Sequence, residues 1–149
     1  MRCVLPLFLL LIACAPSGPV PLRWGEEACK HCHMTLADQR FGAELLTVQG
    51  RPYAFDDAGC AADFLVGPDL PASELGQVWV IDYQHPDSLI DGTRAAFLLS
   101  PAFRTPMGSG AIATADPSFA DSLARKTNAV RLSWQELLAE ARAGHLGHS

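Results

Sequence analysis

Short apolar runs separated by polar, glycine- and proline-containing turns fill most of the chain after residue 40, a pattern typical of β-strands with tight connections. Runs rich in β-branched and aromatic residues predict strands at 41–48, 52–55, 77–83, 95–99, 111–114 and 129–132. The run at 77–83 is apolar almost throughout, so we expect a central strand that is covered on both faces. Turns or linkers are predicted at 49–51, 67–71 and 89–92.

Helix-capping signals predict three helices. Asp56 or Asp57 can cap a short helix, because a carboxylate accepts hydrogen bonds from the free N–H groups of the first turn. Asp116 followed by a proline predicts a second helix. The motif Ser-x-x-Glu at 133–136 is a capping box for a third helix, which is expected to end near Gly144.

The order of these elements repeats along the chain. Residues 53–57 and 112–116 both run from a strand through an acidic cap into an alanine-rich helix, and they lie 59 residues apart. The pattern predicts an α+β fold with two β-β-α units side by side, at about 29–67 and 77–143.

The N-terminus has the features of an export signal. Arg2 is followed by an apolar run at 4–12, which is too short to span a bilayer. The run ends in Leu-Ile-Ala-Cys at 11–14, which is similar to a bacterial lipobox, so we expect Cys14 to be lipidated and to anchor the protein to a membrane, facing the periplasm or the cell exterior. The alternative is an ordinary signal peptide with a chance cysteine. The predicted organisation is a signal peptide at 1–13, a lipidated cysteine and flexible tether at 14–24, a folded domain at 25–144 and a short, mobile tail at 145–149.

The formal net charge of −5 and the absence of a basic run argue against nucleic acid or an anionic lipid surface as a partner. Once Cys3 leaves with the signal peptide and Cys14 is acylated, three thiols remain, at Cys29, Cys32 and Cys60. An odd number of thiols outside the cytosol argues against a framework of disulfides alone. Cys60 lies inside a predicted helix and is expected to be a small buried apolar residue.

The candidate chemistry is concentrated at 29–34, Cys-Lys-His-Cys-His-Met, which contains two thiols, two imidazoles and a thioether. Thiolates and thioethers are soft donors that favour Cu(I), Zn(II) or iron over oxygen-seeking cations. A second candidate is Met107, in the loop Thr-Pro-Met-Gly-Ser-Gly at 105–110. The proline and glycines indicate a shaped loop rather than a packed element, and binding residues concentrate in loops held by a scaffold.

Several kinds of site fit the motif at 29–34. Cys-x-x-Cys-His matches c-type haem attachment, although small c-type cytochromes are helical around the haem and β-rich segments follow here. A structural zinc site needs a second pair of ligands, which His145 and His148 would have to supply from the tail. A thioredoxin-like motif lies at the junction of a strand and a helix in a βαβ unit, and no such unit is predicted before Cys29. A simple Cys29–Cys32 disulfide is a further alternative. The sequence shows no nucleophile–base pair, phosphate loop or carboxylate dyad that would indicate another class of enzyme.

Copper accounts for more of these residues than the other readings do. Cys32 and Met34 place a thiolate and a thioether two residues apart, and Met107 offers a second thioether from a distant loop. Sulfur-rich sites with few ligands hold Cu(I) and can pass it on by ligand exchange, because no rigid cage must be broken. The leading hypothesis is a metal carrier without catalysis of its own; the alternatives are a c-type electron-transfer protein and a thiol oxidoreductase.

At these residues the chain resembles the NosL family, lipoprotein copper chaperones for nitrous oxide reductase. The resemblance is carried by the lipobox, Cys32-His33-Met34, Phe41-Gly42-Ala43, residues 50–57 and Thr105-Pro106-Met107-Gly108-Ser109-Gly110, of which the last block is the most specific. It implies a fold of two β-β-α units, binding of Cu(I), and delivery of copper to nitrous oxide reductase or its assembly machinery in the periplasm.

The resemblance also implies copper ligands by position. Cys32 and Met34 match the Cys-x-Met of the family, and Met107 matches its later methionine. Cys29 is a further candidate, although many family members keep only the second cysteine. His33 is the candidate for a histidine ligand, since the histidines of the tail are not part of the family pattern.

Overall fold

The computed structural model describes residues 18–147 of the 149-residue chain. Within these residues strands and helices are mixed along the chain, which confirms the predicted α+β class. The elements are β1 Ala43–Thr47, β2 Pro52–Phe55, α1 Ala58–Val66, β3 Leu75–Asp82, β4 His85–Asp91, β5 Ala96–Leu99, β6 Ala111–Thr114, α2 Pro117–Thr127, β7 Val130–Leu132 and α3 Trp134–Arg142. A 3-10 turn, Ala72–Glu74, precedes β3.

All seven strands of the described chain join one sheet in which β3 is central. The order is β2-β1-β3-β6-β5-β7, and β4 also pairs with β3. The pairings are antiparallel, except that β3 and β6 pair in parallel at Asp82 and Ala113. The prediction of a central strand at 77–83 is confirmed, because β3 pairs with β1, β4 and β6.

Two β-β-α units are present, and a hairpin separates them. In the first unit β1 and β2 pair and lead into α1, and in the second β5 and β6 pair and lead into α2. Each helix begins at an aspartate whose side chain accepts backbone N–H groups of the first turn, Asp57 for α1 and Asp116 for α2. The β3–β4 hairpin lies between the units, and β7 and α3 follow the second.

The prediction of a turn at 89–92 is wrong for 89–91 and right for Gly92, because Leu89 and Ile90 belong to β4 and pair with Ile81 and Val80 of β3. β4 begins with His-Pro-Asp-Ser and is exposed or half-buried along its length. A strand with one neighbour tolerates proline and needs no continuous apolar run, so its sequence resembles that of a turn. The chain turns after β4 instead.

A large core lies between the sheet and helices α1 and α3. Phe55 and Phe97 are fully buried there, and the ring of Phe97 lies 5.6 Å from the ring of Trp134 on α3. A smaller cluster, which includes Leu98 and Ile112, lies against α2. Because neighbouring residues of a strand point to opposite faces, Phe97 and Leu98 serve different clusters and β5 is covered on both faces. The buried side chains of helix α1 also belong to the larger core.

The segment 18–24, predicted as part of a flexible tether, lies against the domain. The Val20 N–H donates to both carboxylate oxygens of Glu44, at 3.0 and 3.1 Å, and Trp24 packs against the larger core. Glu44 is buried, and this burial raises its pKa to about 7. Cys14 and the predicted signal peptide lie outside the described residues.

The tail is packed as far as the structure describes it, so the prediction of a mobile tail is wrong for residues 145–147. Leu146 is buried in the larger core, and Nδ1 of His145 lies 2.8 Å from a carboxylate oxygen of Glu140. His148 lies outside the described residues. Between residues 18 and 147, no helix has the length and apolarity needed to cross a membrane.

Candidate metal centre

The motif at 29–34 folds into a tight loop closed by backbone hydrogen bonds. The residues on either side of it form a β-bridge, and the Cys29 N–H donates to the Met34 carbonyl at 2.8 Å. Within the loop, the His33 N–H donates to the Cys29 carbonyl at 3.0 Å. His33 has a left-handed backbone conformation, with φ of 64°, which histidine adopts more readily than most residues with a side chain. The chain therefore reverses its direction within the motif itself.

The loop is fixed against β2, and its two cysteines differ in exposure. The Lys30 N–H donates to the Ala54 carbonyl of β2 at 2.8 Å. Cys29 is 1% exposed and belongs to the larger core, whereas Cys32 is half-buried. The Met34 side chain is 59% exposed. The loop thus has an inner side that carries Cys29 and an outer side that carries Met34, with Cys32 between them in exposure.

Cys60 joins these two cysteines from the first turn of α1. Its N–H donates to Oδ1 of the capping Asp57 at 2.8 Å, and its side chain is fully buried. The sulfur atoms of Cys29, Cys32 and Cys60 all lie within 4.8 Å of one another. Metal–thiolate bonds of about 2.3 Å put ligand sulfurs up to about 4.6 Å apart, so the three sulfurs have nearly the spacing of a shared metal site. The prediction that Cys60 is buried is confirmed, but its place beside the other thiols was not foreseen.

Hydrogen bonds distinguish the three thiols. The S–H of Cys60 donates to the Cys29 sulfur, and nearby backbone N–H groups add to the effect, so that the pKa of Cys29 falls to about 5 although burial opposes the change. The nitrogen of Cys32 lies 3.5 Å from the same sulfur. The pKa of Cys60 is raised by its hydrogen bond to Cys29 and by burial, and burial raises the pKa of Cys32. The cluster therefore offers three sulfur donors, a donor set that suits a soft cation.

The loop at 105–110 is held against the start of α1, the same helix turn that carries Cys60. The Met107 N–H donates to Oδ2 of Asp57 at 3.4 Å, so the two oxygens of one buried carboxylate connect the helix start and this loop. Gly59 allows the close approach, because a Cβ at this position would lie 2.2 Å from the Cβ of Ser109. Met107 is half-buried and packs against the larger core.

Polar side chains within the 105–110 loop set its shape. Oγ1 of Thr105 lies 3.1 Å from Oγ of Ser109 and accepts the Gly110 N–H at 3.1 Å. Gly108 and Gly110 have φ values of 75° and 67°, which a glycine adopts without steric cost. The prediction of a shaped glycine-rich loop is confirmed.

The structure separates the predicted ligands into an inner and an outer group. Cys29 and Cys32 belong to the three-sulfur cluster, and Met107 lies on the loop fixed to the same helix turn. Met34 and His33 are exposed and lie on the outer side of the 29–34 loop. Within residues 18–147, no histidine or carboxylate belongs to the three-sulfur group.

Comparisons with known proteins agree with the fold. The model of the NosL family matches residues 19–141, a span that includes the segment docked on Glu44. No curated protein matches the sequence significantly. Among solved structures, the crystal structure of the copper chaperone NosL from Shewanella denitrificans is similar, with a TM-score of 0.70 and 17% sequence identity over 81% of this chain and 96% of that chain. At this identity the likeness shows a shared fold.

Proposed function

Because the chain belongs to the NosL family, we propose that it is a copper carrier that binds Cu(I) and passes it to an acceptor protein. The observation that carries the proposal is the cluster of three cysteine sulfurs within 4.8 Å of one another. Sulfur donors without hard carboxylate oxygens suit Cu(I). The fold shared with the copper chaperone from Shewanella denitrificans supports the same conclusion.

Cys32 is the proposed principal ligand. It is half-buried, so an incoming ion and an acceptor protein can both reach it, whereas Cys29 and Cys60 are almost completely buried. Met107 supplies a thioether from the loop fixed to α1 by Asp57, and Cys29 completes the shell. A thiolate donates charge as well as polarisable electrons, and a thioether donates only the latter. Loss of Cys32 should therefore weaken binding more than loss of Met107.

Met34 and His33 have a different proposed role. Both are exposed on the outer side of the loop that carries Cys32. We expect them to contact the ion as it enters or leaves, because a transfer between proteins by ligand exchange needs donors at the surface. This assigns the predicted ligands of the 29–34 motif to two stages of one transfer.

The proposed acceptor is nitrous oxide reductase or its assembly machinery, and the proposed location is the outer face of a membrane. The family and the lipobox at Cys14 support this proposal. Val20 is held by Glu44 and follows Cys14 by six residues, a length that spans at most about 20 Å when fully extended. A lipid on Cys14 would keep the copper-binding domain close to the bilayer.

Anaerobic titration with Cu(I) tests the carrier function. The full-length protein in detergent should retain one Cu(I) per chain against a calibrated Cu(I) chelator, and Cys32→Ser should lose nearly all of this affinity. Met107→Leu should weaken binding, Cys29→Ser should have a smaller effect, and His145→Ala is the control because that residue contacts Glu140. Full affinity in Cys32→Ser would overturn the assignment.

The Cys-x-x-Cys-His motif keeps haem attachment as the alternative to test. Covalent attachment needs both cysteine sulfurs and the histidine at one open face, whereas Cys29 is 1% exposed and held in the core. Export through a host that matures c-type cytochromes should therefore give a colourless protein. A haem absorption band that survives denaturation would show a covalent link and contradict the copper proposal.

A further inference from the structure

We propose that the cysteine cluster also reduces incoming Cu(II), with Cys29 and Cys60 as the electron-donating pair and Cys32 left to hold the Cu(I) that forms. The inference rests on the proposed function, since it concerns how copper reaches the same site in its monovalent form. It adds a redox step that a carrier receiving Cu(I) would not need.

The first support is the contact between the two buried thiols. Cys29 and Cys60 are 1% and 0% exposed, and both belong to the larger core. The two sulfurs lie within 4.8 Å of each other. A disulfide bond is about 2.05 Å long, so an approach of less than about 3 Å would form it.

The second support is the different position of Cys32. Cys32 is half-buried, so an ion that enters from solvent meets this sulfur before the buried pair. Its backbone nitrogen lies 3.5 Å from the Cys29 sulfur, and all three sulfurs are mutual neighbours. An ion bound at Cys32 is therefore within a short distance of both electron-donating sulfurs.

The electrons and protons balance for this pair. Two Cu(II) ions accept one electron each and become Cu(I), while Cys29 and Cys60 lose two electrons between them and form one S–S bond. Cys29 and Cys60 release the protons of their thiol groups to solvent as the S–S bond forms. The Cys32 thiol is not consumed, so one Cu(I) stays on Cys32 and Met107, without the Cys29 thiolate that completes the shell when Cu(I) is loaded directly, and the second leaves with a Cu(I) acceptor.

The third cysteine explains how the site would survive the reaction. If Cys29 and Cys32 were the only thiols, oxidation by Cu(II) would join them and remove the principal copper ligand. With the Cys60 sulfur within 4.8 Å of the Cys29 sulfur, the disulfide forms inside the core and the reachable thiol stays reduced. The three-sulfur cluster thus has the composition needed for both reduction and retention.

The test uses the full-length protein, reduced, desalted and kept anaerobic in detergent. Two equivalents of Cu(II) are added in glycine buffer, and Cu(I) is measured with a chromogenic Cu(I) chelator. Differential alkylation followed by peptide mass spectrometry then identifies the oxidised cysteines. We expect about two Cu(I) per chain, a disulfide between the peptides of Cys29 and Cys60, and a free Cys32 thiol after copper removal. Three free thiols, a Cys29–Cys32 disulfide or a disulfide between chains would each overturn the proposal.

Two variants and a direct loading experiment separate this inference from the carrier function. Cys32→Ser keeps the electron-donating pair, so it should still form the disulfide while losing retention of Cu(I). Cys60→Ala lacks one member of the electron-donating pair, so it should reduce Cu(II) more slowly than the parent, and its Cu(I) affinity is measured separately by direct loading. If the parent binds added Cu(I) and still has three reduced cysteines after treatment with Cu(II), the redox step is refuted and the proposed carrier function is unaffected. If the parent forms the Cys29–Cys60 disulfide with Cu(II) but its reduced form binds no directly added Cu(I), the carrier function fails instead.

Discussion

Replacing Asp57 should loosen both sides of the copper site at once. Its carboxylate is fully buried, with Oδ1 accepting the Cys60 N–H at 2.8 Å and Oδ2 lying 3.4 Å from the Met107 nitrogen. Asp57→Ala removes both acceptors. Loss of a helix cap costs about 1 kcal/mol, and a buried donor left without a partner costs about 1–3 kcal/mol. We expect the free energy of unfolding to fall by roughly 2–4 kcal/mol.

Asp57→Asn keeps the volume and removes one acceptor. An amide has a single oxygen, so it can cap α1 or accept from Met107 but not both, and its NH2 group then faces an N–H donor. The loss of stability should be smaller, on the order of 1 kcal/mol. Cu(I) affinity should still fall, because the Met107 loop is no longer held to the helix turn that carries Cys60.

Asp116 provides a matched control for the capping role alone. It caps α2 by accepting the N–H groups of Ser118 and Phe119 at 2.8 and 3.2 Å, and it is exposed. Asp116→Ala should cost about 1 kcal/mol and leave copper affinity unchanged. Urea unfolding and competition against a Cu(I) chelator measure the two effects. The reasoning is refuted if Asp57→Ala loses no more stability than Asp116→Ala, or if Asp57→Asn binds Cu(I) as tightly as the parent.

The remaining predictions concern pH, a close contact and the anchor. Burial raises the pKa of Glu44 from 4.5 to about 7, so the folded chain binds this proton more tightly than the unfolded chain does. Protonation of Glu44 therefore contributes about 3 kcal/mol to the free energy of unfolding. This contribution is fully present below pH 4.5 and is lost as the pH rises through 7. Thermal unfolding should show lower stability at pH 8 than at pH 5, with a smaller difference in Glu44→Gln; equal pH dependence of parent and variant would contradict this. Gly59→Ala should weaken folding and Cu(I) binding, because the new Cβ would lie 2.2 Å from the Ser109 Cβ, and Ser109→Gly should partly restore both; unchanged Cu(I) affinity in the single variant would contradict it. Cys14→Ala should release the protein from membranes without loss of Cu(I) binding, and a variant that stays on the membrane after a salt wash would speak against a lipid anchor.

Local features of the chain predicted most of the fold. The capping residues Asp57, Asp116 and Ser133 begin the three helices as expected, because a cap is an interaction between residues a few positions apart. Buried strands were predicted from their apolar runs. β4 was missed because an edge strand has no such run, and the packing of Leu146 was missed because nothing local distinguishes a docked tail from a free one.

The candidate site depended more on tertiary contacts than the fold did. Cys60 follows Cys32 by 28 residues, and the contact between them requires α1 to pack against the 29–34 loop. One signal in the sequence could have located Cys60. It lies in the first turn of the helix that directly follows strand 52–55, so its thiol is expected near the end of that strand. Met34, predicted as a ligand from its spacing to Cys32, has an exposed side chain, and the left-handed conformation of His33 between the two residues could not be read from that spacing.

X-ray absorption at the copper K-edge of the Cu(I)-loaded, full-length protein tests the central claim most directly. Copper held by Cys32, Cys29 and Met107 should show a first shell of sulfur atoms without the outer-shell scattering of an imidazole ring. Cys32→Ser should lose this signal together with its bound copper, while His145→Ala should reproduce the parent spectrum. A first shell of mainly nitrogen and oxygen atoms in the parent would place the copper outside the cysteine cluster and contradict the proposed site.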